Sequence, residues 1–414
     1  MTERTTCAII GGGPAGMILG LLLARAGVRV TVLEKHGDFL RDFRGDTVHP
    51  STLQLLDELG LGERFAQLPQ SRLERLSFTG ENGERLLVGD MRRLKVAHPY
   101  IAMVPQWDLL DLLARASKAE PTYELRMNTE VTGLLTGGGA VRGVRYRTAA
   151  GETGELRADL TVACDGRWSL AREEALLRPR EFPCSFDVWW FRLPRYEDEG
   201  VRSLSPAMRR GEFAVRIPRE GYFQIGYMVE KGTASALRAE GVEHFRERIA
   251  ACFPAFADRV GALESMDDVK HLDVRLNRLH QWHRPGLLCI GDAAHAMSPI
   301  GGVGINLAVQ DAVAAAHVLA GPLRRGRLTP RTLARVRTRR LLPTVATQAV
   351  QRMLHRNVVT PVIEGRRNGP PHLLSTLLRY APRLSSVPAR LIGVGFRPEH
   401  APEFARRRAD GRVP

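Results

Sequence analysis

The chain has 414 residues and a mass of 45.9 kDa, which at ~150 residues per domain allows two or three domains around a large core. Apolar residues make up 44% and charged residues 25%, a globular balance that excludes wholesale disorder. The formal charge is +15, and it is uneven: residues 321–414 hold 20 arginines, no lysine and four acids, a net +16, which leaves −1 on residues 1–320. Such a segment raises the question of an anionic partner such as nucleic acid or a membrane surface. No stacking aromatics are interleaved with these arginines, and the chain as a whole prefers Arg to Lys (55 against 5). The segment therefore reads as a solvated helical tail, with no nucleic acid expected.

Cys7, Cys164, Cys184, Cys252 and Cys289 include no C-x-x-C pair, which argues against structural zinc, and no metal is expected. Their odd number excludes a full disulfide framework and fits a reducing cytoplasm. The N-terminus enters a strand within six residues, so no secretory leader is expected. The longest apolar run, 303–323, contains Asn306, Gln310, Asp311 and His317 and reads as a buried helix rather than a membrane span.

In chain order, 7–10 is a buried strand, 14–26 a helix and 29–33 a second strand, a β-α-β unit that implies a parallel sheet. Helices are predicted at 51–58 and 62–68. The alternating stretch 72–88 turns at Glu81-Asn82-Gly83 and reads as a hairpin. A helix at 107–119 precedes two or three strands over 125–146, around Gly137-Gly138-Gly139, and a buried strand at 160–163. From 181 to 228 the pattern becomes strand-rich and implies a separate antiparallel sheet. A helix at 242–253, a buried strand at 287–290 and a long helix from about 303 follow; everything after 329 reads as helical with Pro and Gly breaks. The fold class is α/β (α+β overall): a Rossmann-like domain interrupted by an antiparallel-sheet insert and followed by a helical C-terminal region.

Three motifs sit at the ends of predicted strands. Gly11-Gly12-Gly13-Pro14-Ala15-Gly16 is a G-x-G-x-x-G between strand and helix. Gly11 makes the tight turn, Gly13 admits a pyrophosphate to the backbone, and Gly16 allows close helix–strand packing. Glu34 then closes the second strand with a carboxylate suited to an adenosine ribose. Cys164-Asp165-Gly166-Arg167-Trp168-Ser169 follows the strand at 160–163, where open α/β sheets bind ligands. Gly291-Asp292 opens the third, which continues through His295, Pro299, Gly301, Gly302, Val303, Gly304, Ile305 and Asn306 into a long helix. Asp292 can hold a polyol hydroxyl, and the glycine-rich helix start aims N–H groups and a positive helix end at whatever lies there.

Together these residues resemble the class A FAD-dependent monooxygenases, the p-hydroxybenzoate hydroxylase-like family, over about residues 6 to 320. The resemblance implies an FAD-binding domain at 1–72, 96–178 and 270–325, a substrate-binding sheet domain at 73–95 and 179–269, and an Arg-rich helical region at 326–414. It implies that Gly11, Gly13, Pro14, Ala15, Gly16, Glu34, Lys35, Arg44, Gln106, Val131, Asp165, Gly166, Asp292, Pro299, Gly302, Val303, Gly304, Ile305 and Asn306 bind FAD. Arg167 would lie near a nicotinamide cofactor, NADPH or NADH, and Pro299 beside the reacting edge of the flavin. No second G-x-G-x-x-G is present, as in the family.

The implied reaction is hydroxylation of an aromatic or conjugated small molecule by O₂ through a flavin C4a-hydroperoxide. Asp46, His49 and Tyr222 are candidate proton acceptors. The alternatives are a flavin-dependent halogenase or isoprenoid reductase of the same fold, or a non-catalytic flavin-binding redox module. Trp189-Trp190-Phe191-Arg192-Leu193-Pro194 is faintly similar to a halogenase motif but reads as an apolar strand. The Arg-rich tail is expected to be dispensable for flavin binding.

Overall fold

Sheet and helix patterns place the three motifs along one edge. The computed structural model describes residues 3–40, 47–79, 85–197, 199, 203–209, 211–367, 385–408 and 412. Strands Leu287–Cys289, Thr153–Ala163, Glu3–Ile10, Val30–Leu33 and Tyr123–Arg126 lie side by side and parallel in that order. Cys7 to Ile10, Val30 to Leu33 and Leu287 to Cys289 are buried throughout, as unbroken apolar runs must be in a parallel sheet covered on both faces. A hairpin of Thr129–Gly137 and Ala140–Thr148 pairs antiparallel with the first half of Thr153–Ala163. That strand is longer than predicted because its first half alternates between buried and exposed residues, held by the hairpin and by Glu3–Thr5 of the first strand.

The helix Pro14–Arg25 packs against both Gly304–Arg324 and Gln106–Lys118. Gly304–Arg324 lies in a helical segment long and apolar enough to cross a membrane. Its residues from Ile305 to Ala316 are nonetheless buried against protein, which fits the reading of a core helix.

A second sheet has seven strands in the order Lys270–Leu272, Phe186–Pro194, Tyr222–Glu230, Glu212–Pro218, Ser203–Arg209, Arg75–Thr79 and Arg85–Asp90. The last two form the predicted hairpin, whose turn at Glu81-Asn82-Gly83 lies outside the described residues. The sheet is antiparallel except where Ser203–Arg209 meets Arg75–Thr79 in parallel. Alternation sorts its faces. Trp189, Phe191, Phe223, Ile225 and Tyr227 pack on Phe245 and Ile249 of the helix Ala234–Cys252. Phe186, Val188, Trp190, Phe213 and Met228 face the other way, toward Ile300, Val358 and Val359. The Ala234–Cys252 helix starts earlier than predicted because it continues across a kink at Gly241, where φ is +85°.

The C-terminal region departs from a solvated tail. Helix Pro330–Leu354 buries Leu333, Val336, Arg340, Thr344, Gln348 and Gln351, and continues through a π-helical turn, His355–Val359. After the helix Ser386–Gly393 the chain is mostly irregular, with one 3-10 turn at Glu403–Ala405, and returns to the first domain. There the Ala401 N–H donates to Glu58 Oε2 at 2.6 Å and Arg25 Nη1 donates to the Ala405 carbonyl at 2.8 Å. A periodicity reading missed this because its apolar residues are few; the helix buries polar side chains that find partners.

Candidate cofactor site

At the first strand end, Gly11 has φ +99°, and a Cβ there would stand 2.7 Å from the Cys164 carbonyl oxygen. The turn therefore requires glycine and lies against the second motif. A Cβ on Gly16 would meet the Gly11 oxygen at 2.1 Å, whereas one on Gly13 would meet nothing within 4 Å. Gly13 thus borders open space at the start of Pro14–Arg25. No side chain caps that helix and no acid occupies its first turn, so its free N–H groups and positive end suit a diphosphate.

Glu34 is buried and fixed at the lip of this turn, accepting the Gly12 N–H at 2.8 Å and the His36 N–H at 3.1 Å. Beside it, exposed Lys35 lines an open cavity of about 230 Å³ with Asn128, Glu130 and Arg147; Val131 follows, buried. Gln106 is the first residue of its helix.

Asp165 Oδ2 accepts the Ala171 N–H at 3.3 Å, and burial raises its carboxyl pKa against the opposing pull of Ser169 and Ala171. Gly166, at φ +82°, also faces open space. Arg167 donates to Asp292 Oδ2 at 3.3 Å and to the Asp273 carbonyl at 3.1 Å, which joins the second motif to the third. A Cβ on Gly291 would touch Ala15 at 3.4 Å and Ala308 at 3.2 Å, so the third motif also packs on the first.

The loop after Asp292 is held from three sides. Gly291 N–H donates to Asp311 Oδ2 at 3.1 Å, and His295 Nε2 bonds the same oxygen at 2.6 Å. Arg340 Nε donates to Asp311 Oδ1 at 2.9 Å. Asp311 and Arg340 are 0% and 1% exposed. Burial alone would raise the Asp311 carboxyl pKa, but the His295 and Arg340 interactions hold it below the usual range.

Gln351 accepts the Ser298 N–H at 3.2 Å and donates to the Ser298 and Ile300 carbonyls, both at 2.9 Å. His355 Nε2 lies 2.8 Å from Ser298 Oγ. Finally, the Gly302 carbonyl accepts Thr47 Oγ1 at 2.8 Å and His49 Nε2 at 3.0 Å. Gly302 has φ +63°, and a Cβ there would collide with Thr47 at 2.6 Å, so this position also requires glycine. Beyond Val303, helix Gly304–Arg324 begins without a side-chain cap or an acid in its first turn. Asn306 Oδ1 accepts Ser51 Oγ at 2.9 Å and Thr52 Oγ1 at 2.7 Å, which ties this helix start to the helix Pro50–Glu58.

Of the candidate proton acceptors, Asp46 lies outside the described residues, as does the cofactor candidate Arg44. His49 is fully buried, burial lowers its pKa to about 4, and its ring braces the Gly302 carbonyl; this placement suits positioning of the loop. Tyr222 stands at the end of its strand opposite Pro194, under the Arg192 guanidinium at 4.6 Å. Pro299 lies in the braced loop between Ser298 and Ile300. The sequence reading missed Asp311, Arg340, Gln351 and His355, and with them the partners of Ser298. Only Asp311, an acid inside an apolar helix, gave a signal.

Three adjacent parallel strand ends, each with a glycine turn, and two uncapped helix starts define a dinucleotide-binding flavoprotein. Residues 4–353 match the family described as FAD binding domain, and the chain belongs to that family. It is similar to 6-methylpretetramide 4-monooxygenase of Streptomyces rimosus, 38% identical over 365 residues, 86% of this chain and 85% of that protein. It is also similar to rifampicin monooxygenase of Streptomyces venezuelae, 29% identical over 321 residues, 73% of this chain but 61% of that longer protein. Among solved structures, p-nitrophenol 4-monooxygenase PnpA from Pseudomonas putida DLL-E4 superposes with a TM-score of 0.77 at 21% identity, over 95% of this chain and 97% of that one. The chain is a class A FAD-dependent monooxygenase.

The open space at Gly13 gives a direct test of the cradle. Gly13 has φ −74° and ψ 179°, a conformation valine adopts without strain. Gly13→Val should leave the apoprotein's thermal midpoint unchanged and weaken FAD binding roughly tenfold or more, at least ~1.4 kcal/mol. Fluorescence titration of apoprotein with FAD measures it; unchanged affinity would place the diphosphate elsewhere.

Proposed function

We propose that the chain hydroxylates a fused-ring aromatic small molecule, with NADPH or NADH as reductant and O₂ as oxygen donor. The observation that carries this reading is the 38% identity to 6-methylpretetramide 4-monooxygenase over 86% of the chain. The apolar sheet face supports it. Trp190 lies over Gly226, where a Cβ would stand 2.8 Å from the indole, and the same cluster includes Ile300 of the flavin loop. A flat, apolar wall opposite that loop suits a planar ring system.

Bound FAD supplies the redox chemistry: it accepts reducing equivalents and passes one oxygen atom of O₂ to the substrate. The chain's own residues hold and enclose it. Gly11, Gly13, Pro14, Ala15 and Gly16 would take the diphosphate, with Gln106, Asp165 and Gly166 near it; Glu34, Lys35 and Val131 would take the adenosine, Asp292 the ribityl chain, and Arg44 would reach the flavin. Pro299 and the run from Gly302 to Asn306 present backbone to the ring. The positive end of helix Gly304–Arg324 favours negative charge developing there. Asp46 and Tyr222 are proposed as proton acceptors for a phenolic substrate, and His49 as a brace for the loop.

The test is mass spectrometry of products from a panel of hydroxylated naphthacenes and anthracenes, with NADPH and with NADH, under ¹⁸O₂. The expected product gains one labelled oxygen. A halogenated product in bromide buffer, or reduced-nucleotide oxidation that yields only peroxide with every panel member, would overturn the reading.

A further inference from the structure

We infer that the surface between strands Pro179–Phe182 and Leu276–Leu279 and helix Pro330–Leu354 is a binding site for a multivalent phosphate anion, formed by Arg180, Arg278, Arg337 and Arg352. The two short strands pair antiparallel with Arg180 directly opposite Arg278. Like charges in that position oppose strand pairing. The guanidinium carbons of Arg180, Arg278 and Arg352 lie 5.3, 5.3 and 4.8 Å from the ring centroid of Phe182, so three cations gather around one buried aromatic.

Arg337 completes the group from the same helix face as Gln348 and Arg352. Its Nε is buried with no hydrogen-bond partner. After burial itself, the charges that lower the Arg278 pKa are Arg180, Arg337 and Arg352, with no acid among them. The acid next in sequence, Glu181, is turned away and accepts Asn277 Nδ2 at 3.0 Å.

Several other arginines of the chain meet acids: Arg339 with Glu399, Arg340 with Asp311, Arg259 with Glu199 and Arg126 with Glu124. Among the described residues these four form no ion pair. A set of planar forks with unspent donors matches phosphate oxygens, which accept several charge-assisted hydrogen bonds at once. The site also touches the flavin loop: Arg278 Nη1 donates to Gln348 Oε1 at 2.8 Å, and Gln348 Nε2 donates to the Ala296 carbonyl at 3.3 Å. An anion on Arg278 would add to that brace.

Calorimetric titration of the FAD-loaded protein with inorganic pyrophosphate, in phosphate-free buffer of low ionic strength, tests this with the flavin's own diphosphate cradle filled. The expected result is one pyrophosphate per chain, with affinity falling as sodium chloride is added. In the Arg180→Gln/Arg352→Gln variant, which loses charge-assisted contacts, affinity should fall about tenfold or more. That variant should keep its flavin absorbance and, relieved of repulsion, a thermal midpoint no lower than the parent's. Absence of saturable binding in the parent chain, or equal affinity in the variant, would overturn the site.

Discussion

Replacing Arg340 with leucine should cost about 3–5 kcal/mol of stability and release flavin, because it leaves one carboxylate of a buried pair uncompensated. Asp311 would keep His295 and the Gly291 N–H but lose the guanidinium at 2.9 Å. Its carboxyl pKa should then rise, so the deficit should be largest near neutral pH and shrink toward acid as the group protonates. Denaturant unfolding of the FAD-loaded protein at several pH values measures this. An Asp311→Asn/Arg340→Leu double variant should be less destabilised than the sum of the singles. Arg147→Leu is the control: it and its partner Glu130 are 56% and 47% exposed, and the loss should be under ~1 kcal/mol. Equal losses for Arg147→Leu and Arg340→Leu would refute the claim that the buried pair braces the loop.

Acid should destabilise the protein across a defined window. Burial lowers the imidazole pKa of both His49 and His355 to about 4, from an ordinary 6.5. Between these values the unfolded chain binds more protons than the folded one, so stability falls as pH drops from above 6.5 toward 4 and recovers as pH rises. Full titration of each group is worth roughly 3 kcal/mol as an upper figure, at 1.36 kcal/mol per pKa unit. The depressed Asp311 carboxyl adds to the loss only at lower pH, below the ordinary carboxylate range. His355→Gln can still bond Ser298 but removes one titration, so its thermal midpoint should depend less on pH between 7.5 and 5. A variant profile parallel to the parent's would assign the acid sensitivity to other groups.

What the sequence revealed follows from how locally each feature is encoded. Gly11, Gly13, Gly16 and Glu34 were legible because one turn and one strand end contain the whole device. The insert was legible because FDVWWFRL and GYFQIGYMV are short runs rich in aromatic and β-branched residues. Ser298 was not, since its meaning depends on Gln351 and His355, more than fifty positions away. Arg340 was hidden by composition: among the arginines of the C-terminal region nothing local separates the buried one from its exposed neighbour Arg339. His49 was singled out for its residue type, yet only the tertiary fold shows that its ring serves a backbone carbonyl.

The parallel sheet draws adjacent strands from residues 3 to 289, and the loop after Asp292 is fastened by Arg340, Gln351 and His355. Such long sequence separations make loop closure slow relative to local helix formation. During synthesis from the N-terminus, the glycine turn at Gly11 is made early, but the strand Leu287–Cys289 beside Thr153–Ala163 comes only after two-thirds of the chain. The groups that lock the loop emerge later still. Flavin capture is thus placed near the end of biogenesis, and a nascent chain stalled before Arg340 would expose a nearly complete nucleotide fold without its latch.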